Sequence, residues 1–458
     1  MTSQGVGMKA LRFYVGLWLG KLAAAVINLI DKNRGTNTPG VVAMKICPDF
    51  LSMLKDIDYQ KMVFITGTNG KSTSNNMFIH ALKTAGKSVT TNLSGANLIT
   101  GVATAMLHSA SLTGHVNTEF FVFETDERFL PKIYKHLPAK NICITNIQKD
   151  QVQRNGEPDY IYKIIRDVLN KDVTVFVNDD EPRCKSLGAY AGRVVRYGVA
   201  KNDRSFTKDG FYDVGMPCPH CGHALRFHSY NIDNVGSYTC PSCGFSGGAD
   251  ADCRIDSVNY QAGTFTCGDR TYVARYTEPY FLYGYALCLA LCNELNVPLD
   301  QVAASFKTFK NIGGRLENLS YKGKTIKYIR IKQENPETLQ SAFDFVARDP
   351  EPKLLMLGLE QLEDFQPYYT NTFYAFDCDV DALIHANLER VICFSEAVAY
   401  DTANRLIYGG MDQERISVLP TDSDDALLDE LDKFNCANVY LITWLHKYEE
   451  LERDIPQR

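Results

Sequence analysis

Two periodicities alternate along the chain. Short runs that are apolar throughout, Met62-Val63-Phe64-Ile65-Thr66, Phe120-Phe121-Val122-Phe123, Ile142-Cys143-Ile144-Thr145 and Val173-Thr174-Val175-Phe176-Val177, read as buried strands. Between them lie longer stretches with helical spacing, such as 72–85. Strands apolar on both faces, alternating with helices, predict a parallel sheet covered on both sides. The texture changes near Asp209. From there to Cys253 the chain is rich in Gly, Cys, His and Ser with no helical period, which predicts a small inserted module held by something other than a hydrophobic core. An apolar helix is expected at 280–295, closing the first α/β domain. A second α/β set begins near Tyr321, with strands expected at 354–357, 391–394 and 439–442, and Gly313-Gly314 offers a hinge before it. The expected division is an N-terminal helical segment (1–50), an α/β domain (51–312, insertion at 209–253) and a C-terminal α/β domain (313–458).

Composition narrows the class. At 458 residues the chain exceeds one ordinary core. A hydrophobic fraction of 45% with 22% charged residues fits a folded globular protein. The net charge of −6 supplies no field for nucleic acid, so no nucleic-acid partner is expected. Of fourteen cysteines, ten are scattered, many in apolar runs, as small buried hydrophobes of a reducing compartment. Residues 11–30 are apolar, but Arg12 and Lys21 interrupt them, and no small-x-small cleavage site precedes Asp31-Lys32-Asn33-Arg34. A spanning helix needs about 20 largely uncharged residues. The segment therefore reads as a packed or membrane-skimming amphipathic helix. The expected location is the cytoplasm, where the inner membrane face is the surface such a helix would touch.

Candidate chemistry starts at the end of the first strand, in Gly67-Thr68-Asn69-Gly70-Lys71-Ser72-Thr73. The two glycines let backbone N–H groups turn inward around phosphate oxygens, and the helix that follows adds partial positive charge. Lys71 reaches the terminal phosphates and the Ser72 hydroxyl is a Mg²⁺ ligand. The glycine that the longer P-loop pattern would place at Ile65 is absent. Glu124-Thr125-Asp126-Glu127 ends the next apolar run, on the same sheet edge, where a hard cation takes carboxylate oxygens; Glu124 is the candidate Mg²⁺ ligand. Thr145-Asn146 with Asp150-Gln151, and Asn178-Asp179-Asp180-Glu181-Pro182, repeat that placement, the last as a candidate nucleoside-binding turn with Asn178 and Asp180.

Inside the insertion, Cys218-Pro219-His220-Cys221 and Cys240-Pro241-Ser242-Cys243 form two CxxC knuckles 18 residues apart. Four thiolates at this spacing predict a closed, structural Zn²⁺ site, with His220 and His223 as bystanders. Arg226 is the only Lys or Arg between the knuckles, so the ribbon is not a nucleic-acid reader. None of the other cysteines sits in a pattern that marks a nucleophile, so ammonia chemistry would have to come from another chain.

In this order the motifs resemble those of the Mur ligases, most closely the MurT-type branch, over most of the chain. Arg34-Gly35-Thr36 with Pro39-Gly40, Gly95-Ala96-Asn97, Arg154 with Gly156-Glu157, Gly314-Arg315 and Asn335-Pro336 add to the likeness. The resemblance implies an α/β fold: a Mur ligase-type P-loop ATPase domain with an inserted four-cysteine zinc ribbon, then a second α/β domain. It implies ATP, Mg²⁺ and Zn²⁺, with Arg315 joining the nucleotide site. The implied activity is amidation of the D-glutamate α-carboxyl in the lipid II stem peptide. The carboxylate is activated by ATP, and a class-I glutaminase of the GatD kind, bound as a heterodimer, supplies ammonia. An aspartate of the C-terminal domain completes the partner's catalytic site in that branch. Here Asn371 takes the counted position, so Asp364, ahead of Asp377, is the expected substitute. The sequence also departs from the branch at Phe281-Leu282-Tyr283-Gly284 and at Ser395-Glu396-Ala397. Two other readings fit the same residues: a ligase of the family that joins an amino acid, and a nucleotide-binding regulatory subunit without turnover.

Overall fold

The structure is a computed structural model. It describes residues 3–30, 37–92, 96–150, 157–208, 215–232, 234–249, 251–310, 316–331, 335–360 and 374–455. The chain forms two compact units, one of residues 1–148 and 157–312, the other of residues 149–156 and 313–458.

The first unit begins with helices α1 (Ser3–Ile30) and α2 (Thr38–Ile46). Its main strands are β1 (Met62–Thr66), β2 (Val89–Thr91), β3 (Phe120–Glu124), β4 (Asn141–Ile144), β5 (Thr174–Asn178) and β6 (Arg193–Val199). The helices that alternate with them are α3 (Lys71–Thr84), α4 (Ile99–Ser109), α5 (Leu130–His136), α6 (Pro158–Arg166) and α7 (Pro182–Leu187). A small antiparallel sheet, β7 (Arg226–Ile232), β8 (Val235–Thr239) and β9 (Ser246–Gly247), makes up the inserted module. The chain then returns to the main sheet with β10 (Cys253–Asn259), β11 (Thr264–Cys267) and β12 (Arg270–Val273), followed by α8 (Pro279–Glu294) and α9 (Leu299–Thr308).

Among the described residues the main sheet runs β12-β11-β10-β6-β5-β4-β1-β3-β2, parallel from β2 to β10 and antiparallel at β11 and β12. β1 lies between β3 and β4, where the winding reverses, and in open α/β sheets ligands bind at the carboxyl ends of strands around that point. All residues of β1, β3 and β4 are buried, as expected for strands with helices on both faces. One face carries a core that includes Phe13, Leu17, Val102, Met106, Ile133 and Ile165; the other carries Phe78, Leu82, Tyr285, Leu289 and Phe306. Residues 11–30 therefore belong to a helix that contributes to a soluble core through one face. β2 and the β10–β12 hairpin had no strong sequence pattern: β2 is three residues long, and β10 leaves most of its length half-buried or exposed.

The second unit has its own sheet in the order β13-β14-β18-β15-β16-β17. The strands are β13 (Leu316–Tyr321), β14 (Lys324–Arg330), β15 (Lys353–Gly358), β16 (Leu388–Phe394), β17 (Ile416–Leu419) and β18 (Asn438–Thr443). β13 and β14 pair antiparallel, and the other pairs are parallel. α10 (Pro336–Arg348), α11 (Asp381–Ile384) and α12 (Ala399–Tyr408) contribute to one face; α13 (Asp424–Asp432) and α14 (Leu445–Asp454) contribute to the other. Asn335 caps α10 by accepting the N–H groups of Glu337 (3.0 Å) and Thr338 (3.2 Å), while its Nδ2 donates to Asp150 Oδ1 at 3.1 Å. That bond helps tie the stretch after β4 to this unit.

Candidate active site

The loop between β1 and α3 is shaped by its glycines and by side chains far away in sequence. Gly67 has φ +121°, and a Cβ there would lie 2.3 Å from Thr145 Oγ1 and 2.8 Å from Asn146 O. Only glycine allows both that backbone and that approach. Gly70, at φ +82°, caps α3 with open space beside it. Thr68 N–H donates to Asn146 O (2.8 Å), and the Asn146 side chain brackets Asn69, accepting its N–H (2.9 Å) and donating to its O (3.0 Å). Asn69 Nδ2 donates to Gln148 Oε1, and Thr68 Oγ1 accepts from Gln148 N–H. The loop is therefore set in place by the chain's own hydrogen bonds. Helix geometry leaves the N–H groups of Lys71, Ser72 and Thr73 directed out of the end of α3, where they favour an anion. Ser72 is exposed and Thr73 half-buried.

Lys71 is buried, and its Nζ donates to Gly67 O, to Thr68 O at 3.1 Å and to Glu127 Oε1 at 2.8 Å. Burial pushes the Glu127 carboxyl up from its ordinary value, while the Lys71 ammonium pulls the other way. Glu127 thus holds the lysine where a phosphate would take over. The sequence pointed to Glu124 in this acidic run, and the pairing of Glu127 with Lys71 was hidden by their separation of 56 residues. Glu124 is buried at the end of β3, its backbone bracketed by Asn92: Glu124 N–H donates to Asn92 Oδ1 (3.0 Å), and Asn92 Nδ2 donates to Glu124 O (2.8 Å). Asn92 also escaped sequence reading. It follows a three-residue strand and belongs to no motif.

At the end of β5, Asn178 Nδ2 donates to Thr145 O (3.3 Å) and its Oδ1 accepts Asp180 N–H (3.1 Å). The Asp180 carboxylate turns into the core. Its Oδ2 accepts Tyr283 O–H at 2.7 Å and Val199 N–H at 2.8 Å, and burial lifts its pKa to about 7. Asp180 O accepts Gly236 N–H, and Asp179 Oδ2 accepts Gly248 N–H, both at 2.9 Å. Lys185 pairs with Asp179 at 2.7 Å. This turn consequently anchors the inserted module to the edge that carries the phosphate loop.

The four cysteines converge, with all sulfurs within 4.8 Å of one another. Cys218 and Cys243 are 3.7 Å apart, and Cys221 and Cys240 3.5 Å. A tetrahedral ion with bonds of about 2.3 Å to sulfur would hold its ligands about 3.8 Å apart, so the thiol set fits Zn²⁺. The two knuckles repeat one turn. Gly222 N–H bonds Cys218 O and Gly244 N–H bonds Cys240 O, with both glycines at positive φ. Backbone N–H groups of Cys243 and Ser242 hold the Cys240 thiol down to about 6. Among the described residues the module's own apolar core is Leu225 and Tyr238 with two of the cysteines, and Met216, Phe227 and Phe245 pack against it. His220 lies against the Phe245 ring, 4.2 Å between centroids, outside the thiol set.

In the second unit Asp377 is exposed and its Oδ2 accepts from Lys149 Nζ at 3.1 Å. Asp364, Asn371, Arg315, Gly313-Gly314, Arg154, Gly156, Gln151, Gly95 and Arg34-Gly35-Thr36 lie outside the described residues.

Comparison with known proteins agrees with this architecture. Residues 65–218 match the Mur ligase middle domain, and residues 333–445 match the MurT ligase C-terminal domain. The MurT subunit of a glutamine-hydrolysing lipid II isoglutaminyl synthase from Streptococcus pneumoniae (strain ATCC BAA-255 / R6) is 26% identical over 444 residues, covering 94% of each chain. A pseudomurein peptide ligase type C from Methanothermus fervidus superposes with a TM-score of 0.66 at 17% identity, over 95% of this chain and 84% of that one. The MurF ligase of Thermotoga maritima in complex with ADP gives 0.57 at 14% identity, over 92% and 85%.

Proposed function

For this member of the Mur ligases, whose middle domain is followed by a MurT-type C-terminal domain, we propose an ATP-dependent carbon–nitrogen ligase of peptidoglycan synthesis. It converts the D-glutamate α-carboxylate of the lipid II stem peptide into a carboxamide in the cytoplasm. The observation that carries the reading is the preset loop Gly67–Thr73 with Lys71 held beside it by Glu127. Such a loop binds a nucleoside triphosphate, and the domain pairing selects amide formation among its uses.

The chemistry runs in two displacements. A carboxylate oxygen attacks the γ-phosphorus and ADP leaves, giving an acyl phosphate. Ammonia then attacks the carbonyl carbon, phosphate departs with that oxygen, and a proton is lost from nitrogen. Lys71 exchanges Glu127 for phosphate oxygens and stabilises the charge on the transferring group. The backbone N–H groups of 71–73 hold the phosphates already bound. Ser72 and Glu124 are the residues that would hold Mg²⁺, which supplies charge neutralisation between the phosphates. Asn178 and Arg315 serve the nucleoside end. Asp180 supports Asn178, whose Oδ1 accepts the Asp180 N–H, while the Asp180 carboxylate faces Tyr283.

Cys218, Cys221, Cys240 and Cys243 hold a structural Zn²⁺. Ammonia comes from a class-I glutaminase bound to the C-terminal domain as a heterodimer. Asp364 supplies the acid that orients the partner's catalytic histidine; the contact of Asp377 with Lys149 favours Asp364 for that role. The test is direct. The chain, a cognate glutaminase, lipid II, ATP and glutamine should yield the stem-peptide carboxamide with one ADP per amide, and ammonium should replace glutamine plus partner. ATP turnover that ignores lipid II, or transfer of an amino acid in place of ammonia, would contradict the reading.

A further inference from the structure

The apolar helix at the start of the chain has a face that the ligase chemistry does not use. α1 is 28 residues long, about 42 Å at 1.5 Å per residue. Phe13, Leu17 and Ala24 are buried in the first unit's core. Gly16 and Gly20 bring the helix close to its neighbours: a Cβ at Gly20 would lie 2.3 Å from Leu107 Cδ1, and one at Gly16 3.0 Å from Ala43 O. Arg12 Nε donates to Ile46 O, Lys21 Nζ to Leu107 O and Trp18 Nε1 to Leu112 O. A helix held this way along one face cannot also span a bilayer as a free rod, although its length and apolarity alone would allow a span.

The opposite face is apolar and open. Met8, Leu11, Trp18, Leu22, Val26 and Leu29 are between 46% and 87% exposed. At 100° per residue they fall within an arc of about 100° along the whole helix. Leu19 and Leu112 widen the stripe beside Trp18, whose N–H is already satisfied inward so that its ring faces out. The charges are one-sided. α1 and α2 hold Lys9, Arg12, Lys21 and Lys45 and no Asp or Glu, in a chain whose net charge is −6. Asp49 touches Lys9 at 3.4 Å. An apolar stripe with an aromatic residue and cations on its flanks is the pattern of helices that lie in the lipid headgroup layer. Two copies meeting through this face would set cations against cations, and an anionic surface would not.

We propose that the outer face of α1 seats the first unit on an anionic bilayer surface, with the helix lying in the headgroup plane. The inference goes beyond the ligase reading and does not depend on it. The test is flotation of the full chain with vesicles of phosphatidylcholine containing about 30 mol% phosphatidylglycerol, and with phosphatidylcholine alone. Wild type should float with the anionic vesicles and lose most of that binding in high salt. The double variant Leu11→Glu/Leu22→Glu changes side chains that are 64% and 59% exposed, so the fold should survive by circular dichroism. It should bind at least about tenfold less. Tyr408→Glu, a change at a still more exposed apolar residue in the second unit, should bind like wild type. Equal flotation of the double variant, or no flotation of wild type, would overturn the proposal. So would a wild-type dimer that the double variant makes monomeric, or loss of a protein partner in that variant. Ligase turnover on a water-soluble stem peptide should be the same in all three chains, which separates failure here from failure of the ligase reading.

Discussion

Asp180 is a carboxyl group buried beneath the nucleotide edge, and its environment gives stability a defined pH dependence. Its folded pKa is about 7 against an ordinary 3.8, with burial the largest cause and the Val199 N–H and Tyr283 O–H opposing it. That difference corresponds to about 4 kcal/mol for carrying the charge in the folded state. The sign follows from linkage. Below about pH 4 the group is neutral in both states and costs nothing. As pH rises toward 7 the unfolded chain gains stability by ionising while the folded chain does not, so folding stability falls; above 7 the loss is complete. Asp180→Asn removes the titration while Asn Oδ1 still accepts from Val199 and Tyr283. Its stability relative to wild type should therefore rise between about pH 4 and pH 7, by on the order of 2–4 kcal/mol. The lower figure allows for the amide N–H2 that asparagine brings into a buried place. Tyr283→Phe should act in the opposite sense. It removes one donor from the carboxylate and one acceptor from Asn231 Nδ2, which donates to the Tyr283 oxygen at 3.0 Å. A loss of about 1–3 kcal/mol is expected, with a steeper fall toward alkaline pH. Calorimetric unfolding of the three proteins across about pH 5 to 8 reads both effects. Apart from Tyr283, whose hydroxyl burial pushes well above its ordinary range, every other titrating group is common to the three chains, so differences between the curves over this range isolate Asp180. A gap between wild type and Asp180→Asn that does not change with pH would refute the reasoning.

Freshly purified protein should contain one Zn²⁺ per chain by metal analysis, and Cys240→Ser should lower both zinc content and thermal stability, since so small a core folds with its ion; zinc-free protein of undiminished stability would count against it. Lys71→Ala leaves the buried Glu127 carboxyl without its partner, so it should lower the melting temperature. Assayed below that temperature, it should lose ATP turnover by on the order of a hundredfold or more; Glu124→Gln should regain part of its activity at high Mg²⁺. Glu127→Gln breaks a buried pair and should destabilise the nucleotide-free chain by about 3–5 kcal/mol. A non-hydrolysable ATP analogue should then raise its melting temperature more than that of wild type, because phosphates give Lys71 a new partner; an equal rise would show that Glu127 does not hold the lysine. Asp364→Asn should stop glutamine-driven amidation and spare the ammonium-driven reaction, measured on the same complex.

What the sequence displayed and what it concealed follow from the range of the interactions. Gly67 and Gly70 announce their turn because backbone conformation is a local demand, and the CxxC pairs announce a metal because two ligands sit on each knuckle. The all-apolar runs at β1, β3, β4, β5, β15, β16 and β18 were legible because strands buried on both faces leave no room for polar residues. Short β2, and β10 at the exposed side of the sheet, carry no such mark. Asn92 and Glu127 shape the site through partners 32 and 56 residues away that no local pattern gives away; Asn146 stood out by its strand end, but its grip on Asn69, 77 residues away, did not. Asp180 shows the converse. Its place at a strand end looked nucleoside-facing, but only packing against α8 decides that its carboxylate meets Tyr283. Hydropathy alone likewise could not separate the two faces of α1. Its glycines against α2 and α4 identify the inner one.

The central claim is that ATP activates a carboxylate before nitrogen arrives. Lipid II carrying ¹⁸O in the D-glutamate α-carboxyl group, incubated with ATP, ammonium and the chain, tests this by mass spectrometry of the released phosphate. An acyl phosphate requires one ¹⁸O atom to move into inorganic phosphate for each carboxamide formed. Amide formed with unlabelled phosphate, or phosphate released without amide at the same rate, would contradict the account.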